Sequence, residues 1–443
     1  MTLDAILKEF EARGIRRVKL GATDIDGILR GKYVSLEKFT GAASSGIGFC
    51  DVIFGWDIAD VLYDNAKYTG WHTGYPDAHA TIDLSTLRYI PWEPGAAFFL
   101  LDFENSSGGP LSIAPRQVFA KVLEHAKQMG YEVNLGSEFE FWMFRETGQS
   151  LREKGFVKPQ PLSPGMFGYS VLRASQNSNW VLALLELLPD FNIGIEGFHT
   201  ETGPGVYEAA IAVRKGMEAA DRAMLFKTSV KEISALQGLM PTFMAKWNAE
   251  LPGSSGHIHQ SLTNAEGKNV FHGEGNVMSH YIAGLVKYLP ELMAMICPTI
   301  NSYKRTVPGT WAPVNATWGV DSRTTAIRAI PGSAKSTRIE LRLSGADMNA
   351  YIAMAASVAA GLAGIEEKLE PPAATTNAYE AAGAPSLPRN LSEATALFRK
   401  SVMARTAFGD EFVDHYANTR EWEIRQFEKA VTSWELERYF ESI

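Results

Sequence analysis

The chain of 443 residues is short of cysteine: it has two, Cys50 and Cys297, each in apolar surroundings with no second ligand nearby. That excludes a disulfide framework and a sulfur-rich zinc site. No uninterrupted apolar run approaches the length of a membrane span. The opening, Met1-Thr2-Leu3-Asp4-Ala5-Ile6-Leu7-Lys8-Glu9, is broken by acids at once and reads as an amphipathic helix rather than a signal peptide. Positive charge is not in excess: 42 Lys and Arg stand against 50 Asp and Glu, a net charge of -8, which argues against a nucleic-acid partner. Also missing are a Gly-x-x-x-x-Gly-Lys-Ser/Thr loop, a dinucleotide fingerprint after a strand and the kinase catalytic-loop motif. Any nucleotide must enter by another architecture. What remains is a cytoplasmic enzyme or a large binding protein, with no membrane partner.

What is present is 46% apolar and 21% charged, the profile of a folded chain long enough for two or three domains. The pattern predicts a helix over 3–13 ended by Gly14, then a hairpin of 15–20 and 27–34 around the turn Asp24-Ile25-Asp26-Gly27. Residues 46–63 read as a loop at a domain edge and 64–80 as irregular, with strands at 87–90 and 97–103. The run Ser106-Ser107-Gly108-Gly109-Pro110 marks a boundary, giving domains 1–105 and 106–443. Beyond it the pattern predicts helices at 115–129, 175–188, 214–236, 276–294, 347–366, 391–402 and 419–440. Strands fall at 132–144, 191–197, 206–210, 242–247, 324–330 and 336–343, and the proline-rich 367–390 reads as an exposed excursion. The class is α+β, with strands delivering polar residues to one side and helices on the other.

The unusual residues recur at a spacing of two. Glu138 and Glu140 sit inside Gly136-Ser137-Glu138-Phe139-Glu140-Phe141; on a strand both carboxylates share one face while the phenylalanines pack on the other. His257, His259 and Ser261 repeat the pattern, as do Arg338, Glu340 and Arg342. Glu201 follows His199, and Glu208 lies just after a Gly-Pro-Gly break. His199 reads equally as an ordinary loop histidine, and Asp24 and Asp26 read as turn residues. Lys304, Arg305, Arg323 and Arg328 flank or follow a glycine/proline loop. Five glutamates and one or two histidines converging on a site call for a hard divalent cation such as Mg²⁺ or Mn²⁺. Arginines beside such a site suit a polyanion, phosphate above all, and together they are the parts for phosphoryl transfer.

In this order the motifs resemble the glutamine synthetase superfamily. They are Gly136–Phe141, His199-Thr200-Glu201 through Glu208, Gly253 through Leu262, Asn301 through Gly309, Ala312-Pro313-Val314-Asn315, and Arg338-Ile339-Glu340-Leu341-Arg342. The resemblance implies a small β-grasp-like N-terminal domain and a large catalytic domain with a curved antiparallel sheet. It also implies a dodecamer of two stacked hexameric rings with active sites between subunits. Carried over residue by residue, it makes Glu140, Glu201 and Glu208 ligands of the metal near the amino acid. Glu138, His257 and Glu340 become ligands of the metal near the nucleotide, within a set of two or three ions. It places His259, Ser261, Arg328 and Arg338 on ATP, Arg305 and Arg342 on the carboxylates of L-glutamate, Gly253 against the glutamate, and Arg323 on the transferring phosphoryl group. The implied reaction forms γ-glutamyl phosphate and ADP, then an amine displaces phosphate to give an amide.

Two departures bear on the amine. Family members that use ammonia carry a glutamate just before Ala-Pro; here Trp311 precedes Ala312-Pro313. Tryptophan is no base, but it offers an apolar wall or a cation–π face to an alkylammonium. The N-terminal Asp-Gly-Ser-Ser loop of the family is also missing, the nearest stretch being Cys50-Asp51-Val52-Ile53-Phe54-Gly55-Trp56-Asp57, where Asp51 or Asp57 could substitute. The expectation is a γ-glutamyl-amide ligase that takes a small alkylamine such as methylamine, or a polyamine. The alternatives are an ordinary glutamine synthetase using ammonia, a ligase for another acid, and a non-catalytic relative.

Overall fold

The computed structural model describes residues 1–273, 275–381 and 383–443. Two sheets organise it. The first is built from β1 (Arg17–Thr23), β2 (Leu29–Ser35), β3 (Ile47–Cys50), β4 (Asp77–Tyr89) and β5 (Ala96–Glu104), in the order β2-β1-β5-β4-β3. β1 and β5 run parallel and the other neighbours antiparallel. Helix Leu3–Arg13 begins under a Thr2 cap and ends where Gly14 turns left-handed at φ 65°. It buries Ile6 and Phe10, and helix Leu36–Ser45 buries Phe39. Phe39 stacks on Phe99 of β5 at 4.9 Å, which makes the centre of this smaller core.

The second sheet has nine strands. They are β6 (Glu132–Phe144), β7 (Ile195–Thr200), β8 (Val206–Ile211), β9 (Arg214–Lys215), β10 (Met240–Thr242), β11 (Gly256–Thr263), β12 (Trp318–Val320), β13 (Ile327–Ile330) and β14 (Arg338–Leu341). The main path runs β12-β13-β14-β11-β6-β8-β7, and β9 and β10 also pair with β6. Period two decides which face is apolar. Val133, Leu135, Phe139 and Phe141 of β6 are buried with Ile258 and Leu262 of β11 and Ile339 and Leu341 of β14. Full burial of each of these large side chains contributes roughly 1.5–3 kcal/mol. Phe139 stacks on Phe226 of helix Gly216–Ala235 at 5.7 Å. Helix Ala350–Glu366 is buried on nearly every side. Its small residues let it approach helix Val277–Ile296 so closely that a Cβ on Gly364 would lie 2.6 Å from the Gly284 nitrogen.

The α+β architecture expected from the pattern is the one observed, and several local readings change. The stretch read as a loop at 46–63 holds β3, whose Gly48 and Cys50 hide the alternation; its ladder partner β4 starts at Asp77, inside the segment read as irregular. Only Met240–Thr242 pairs where a strand was expected over 242–247. The last helix runs Asp410–Lys429, and a Thr432/Glu435 capping box starts a separate helix, Ser433–Tyr439. Asp24 and Asp26 are more than turn residues. Asp24 is buried and accepts from Arg30, while Asp26 pairs with the buried Arg420 of helix Asp410–Lys429. That partner is almost the whole chain away, so no local pattern could announce it. Among the described residues no helix is long and apolar enough to cross a membrane.

Candidate active site

The polar face of the second sheet is assembled rung by rung. β11 places His257 opposite Glu138 of β6, and His259 opposite Glu340 of β14. β13 places Arg328 opposite Glu340. β8 places Glu208 opposite Glu140 of β6 on one side and opposite His199 of β7 on the other. Cross-strand partners share a face, so residues more than 200 positions apart in sequence form one polar stripe above the phenylalanine core.

Two clusters of donor atoms stand on this stripe. In the first, His257 Nδ1 lies 3.4 Å from Glu138 and 3.3 Å from Glu340. Arg328 holds the other Glu340 oxygen at 2.9 Å, and Arg342 also reaches Glu340. His259 Nε2 lies 3.0 Å from Glu138, and its Nδ1 accepts from Arg338 Nε at 3.1 Å. In the second cluster His199 Nε2 lies 2.9 Å from Glu201 and 3.5 Å from Glu208, and its ring stacks on Tyr169 at 4.3 Å. Each cluster offers three ligand atoms within 4.8 Å of one another.

Charge on the stripe is uneven. Burial opposes ionisation of Glu138, but hydrogen bonds with His257 and His259 outweigh it and hold the carboxyl far below the usual range. Glu340 is likewise buried, and the charges of His257 and Arg342 bring it down to about 2. At Glu208 the balance goes the other way: burial and the Glu140 and Glu138 charges push it up to about 9. A buried carboxyl that resists ionisation beside other carboxylates fits a place where a divalent cation supplies the missing charge. The all-oxygen-and-imidazole donor set fits Mg²⁺ or Mn²⁺.

The other expected residues are placed as follows. Glu140 accepts from Ser255 N at 2.6 Å and stands across the ladder from Glu208; the second cluster is closed by His199 rather than by Glu140. Ser261 continues the His257–His259 face, opposite Asn134. Arg305 is buried, with Nη2 donating to the carbonyls of Arg342, Leu343 and Ser344 and Nε left without a partner. Gly253 lies flat against the Arg305 stem, where a Cβ would also sit 2.7 Å from Ala245 O. Arg323 is exposed, and its carbonyl accepts from Arg342 Nε at 3.2 Å. Trp311 is 66% exposed at φ 61°, on the loop that leads away from Arg305. Asp51 is buried and accepts from Thr69 at 2.6 Å, and Asp57 accepts from Ala59 N, Val61 N and Trp422 Nε1. Sequence reasoning left His199 open and missed Tyr169; the period-two spacing of His199 and Glu201 was the signal for the first, and none existed for the second.

A four-carboxylate, three-histidine face on a sheet of this topology defines a class before any comparison is made: an enzyme that neutralises anions with cations. The chain belongs to the glutamine synthetase family, whose catalytic-domain model matches residues 112–439. It is therefore an ATP-dependent acid–amine ligase. A Dictyostelium discoideum protein named type-1 glutamine synthetase 2 is 49% identical, over 99% of this chain and 86% of its own length. A glutamate–isopropylamine ligase of a Pseudomonas species is 41% identical, over 98% of this chain and 96% of its own. A solved complex of GmaS with ADP shares 26% identity at a TM-score of 0.86, covering 99% of both chains.

Proposed function

We propose that the protein joins an organic amine, a small alkylamine such as methylamine first among them, to the γ-carboxylate of L-glutamate at the expense of ATP. The observation that carries the choice of amine is Trp311. It stands exposed on the loop beyond Arg305, where a carboxylate would be needed to take a proton from ammonium. Asp51 and Asp57 offer no substitute within the chain, since both are buried and committed to partners of their own fold. The isopropylamine ligase among the relatives supports the same reading. The 49% identical relative named a glutamine synthetase supports the second reading, ammonia as the amine.

In this account Glu138, His257 and Glu340 hold a divalent ion beside the nucleotide phosphates. Glu140, Glu201 and Glu208, with His199, hold one beside the amino acid. When bound, the ions cancel the repulsion between carboxylate and triphosphate. His259, Ser261, Arg328 and Arg338 border the nucleotide. Arg305 and Arg342 clamp the glutamate carboxylates, with Gly253 giving the substrate room. Arg323, exposed and without an ion-pair partner among the described residues, holds the phosphoryl group in transit. The γ-carboxylate oxygen attacks the terminal phosphorus and the bond to ADP breaks. The amine nitrogen then attacks the acyl carbon, loses a proton and expels phosphate. The loop of Trp311 covers the acyl phosphate against water.

We assign residues 1–105 to a β-grasp-like domain and 106–443 to the catalytic domain; the five-stranded and nine-stranded sheets lie on either side of that boundary. The assembly is a dodecamer of two hexameric rings in the cytoplasm. An exposed apolar run, including Phe156, Val157, Met166, Phe167 and Val171, supports a buried surface between copies. ATP-dependent phosphate release with glutamate and Trp311→Glu (W311E) tests the assignment: preference moves toward ammonia if Trp311 selects the amine and stays put if it does not.

A further inference from the structure

The stretch 367–390 reads from the sequence as an exposed excursion, and within it the structure ties down residues 372–381 and 383–386. Trp318 Nε1 donates to Pro372 O at 2.7 Å, and Thr375 N donates back to Trp318 O at 2.9 Å. Ser322 Oγ donates to Thr376 O at 2.9 Å, and Ala378 N donates to Thr324 Oγ1 at 3.0 Å. Ala316 N donates to Pro385 O at 2.9 Å, and Asn315 bridges Ser386. Ala378 is fully buried. The segment is thus a strap laid across two loops, and those loops carry Arg323 and Trp311.

Between its two anchored ends stands Tyr379. Its hydroxyl donates to Ala312 O at 3.1 Å, one residue after Trp311. One phenol therefore ties the strap to the backbone of the loop next to Trp311. That loop has little else to fix it. Residues 307–311 are all exposed, and Thr310 bonds only back to Val307 within the loop. Trp311 sits in the left-handed region, which costs a side chain of its size of the order of 1 kcal/mol or more and persists only where surroundings hold it. The Tyr379 hydroxyl, bonded to the carbonyl of the next residue, is a group that does so.

We propose that Tyr379 is a positioning residue for amine selection: by pinning the 309–312 backbone it fixes where the Trp311 indole stands. The inference rests on the reading of Trp311 as the amine wall. It does not involve Tyr379 touching substrate, and it requires only the hydroxyl, since the ring stays half-buried under the loop in Tyr379→Phe (Y379F).

The test compares Y379F and Trp311→Ala (W311A) with the unaltered full-length protein. Three readouts are taken: KM for methylamine and for ammonia, KM for glutamate and ATP, and hydrogen exchange of the amides at 309–312. Thermal unfolding checks that both variants fold. In Y379F the expected result is faster exchange at 309–312 and a methylamine KM raised about fivefold, the worth of one lost hydrogen bond, with glutamate and ATP constants within twofold. Unchanged exchange, or an unchanged methylamine-to-ammonia preference in Y379F while W311A shifts it, overturns the proposal and leaves the Trp311 reading standing. An unchanged preference in W311A overturns the Trp311 reading itself and this proposal with it.

Discussion

The face proposed to activate glutamate and the loop proposed to meet the amine are built in opposite ways. The first stands on six strands of one sheet, with every side chain fixed by a ladder partner: His257 by Glu138, Glu340 by Arg328, Glu208 by Glu140 and His199. The second stands on an exposed loop with a tryptophan in a left-handed backbone conformation, held from one side by a strap. Positioning two anions against their mutual repulsion needs sub-ångström rigidity, which strands supply. Choosing among amines needs a surface that differs between relatives, which loops supply at little cost to the core. On the proposed assignment the two halves of the reaction separate in the structure, so mutations should separate them too.

The largest expected effect lies on the rigid side. Glu340→Ala should lower kcat for ATP-dependent phosphate release by about three orders of magnitude, because the proposed cation ligand and the anchor for Arg328 and Arg342 go together. Thermal unfolding should still show a cooperative transition; retained activity in a folded variant would remove Glu340 from the chemistry. Chelation with EDTA should abolish turnover with methylamine and ammonia alike, and Mg²⁺ or Mn²⁺ should restore both. Loss with one amine alone would break the separation.

On the loop side the effect should be smaller and should change preference rather than rate. W311E is expected to shift kcat/KM from methylamine toward ammonia by about tenfold, the scale of a cation–π contact, with the glutamate KM unmoved. A matching change in glutamate KM would show that the loop and the face are one unit.

The smallest effect concerns what supports the face from behind. Lys227 is buried beside Phe139 and Phe243, and its side-chain nitrogen donates to Ala346 O at 3.1 Å and Met348 O at 2.8 Å. Those carbonyls belong to the turn after Arg342 that also receives Arg305. Burial, with the Lys231 charge nearby, pushes Lys227 down to about 7. An unfolded lysine keeps its proton to about pH 10.4, so between the two values the unfolded chain binds more protons and stability rises with pH. Lys227→Met should flatten that rise, by at most about 1.4 kcal/mol per pH unit, in denaturant titrations between pH 7 and 10. Equal slopes would show that Lys227 keeps its proton in the folded protein throughout that range, against the lowering that burial implies.

How much was legible in the sequence follows the same division. Glu138 with Glu140, His257 with His259, and Arg338 with Glu340 and Arg342 announce a shared face by period two alone, and the sheet delivers it. The core behind them was equally plain from Phe139 and Phe141. Register was not legible: nothing local says that Glu208 meets both Glu140 and His199. The strap was not legible either, because Pro371, Pro372 and Pro385 look like the composition of a free loop, while its hydrogen bonds run from backbone groups to Trp318, Ser322 and Thr324. The bond between Asp26 and Arg420 depends on how the chain closes on itself, which pattern reasoning does not reach.

The central claim is that this face activates glutamate and this loop admits an organic amine. It is tested most directly by ATP-dependent phosphate release with L-glutamate and a panel of ammonia, methylamine, ethylamine, ethanolamine, putrescine and spermine, each over a full concentration range. The account predicts release that depends on glutamate, with the highest kcat/KM for a small alkylamine. A clear preference for ammonia would contradict it.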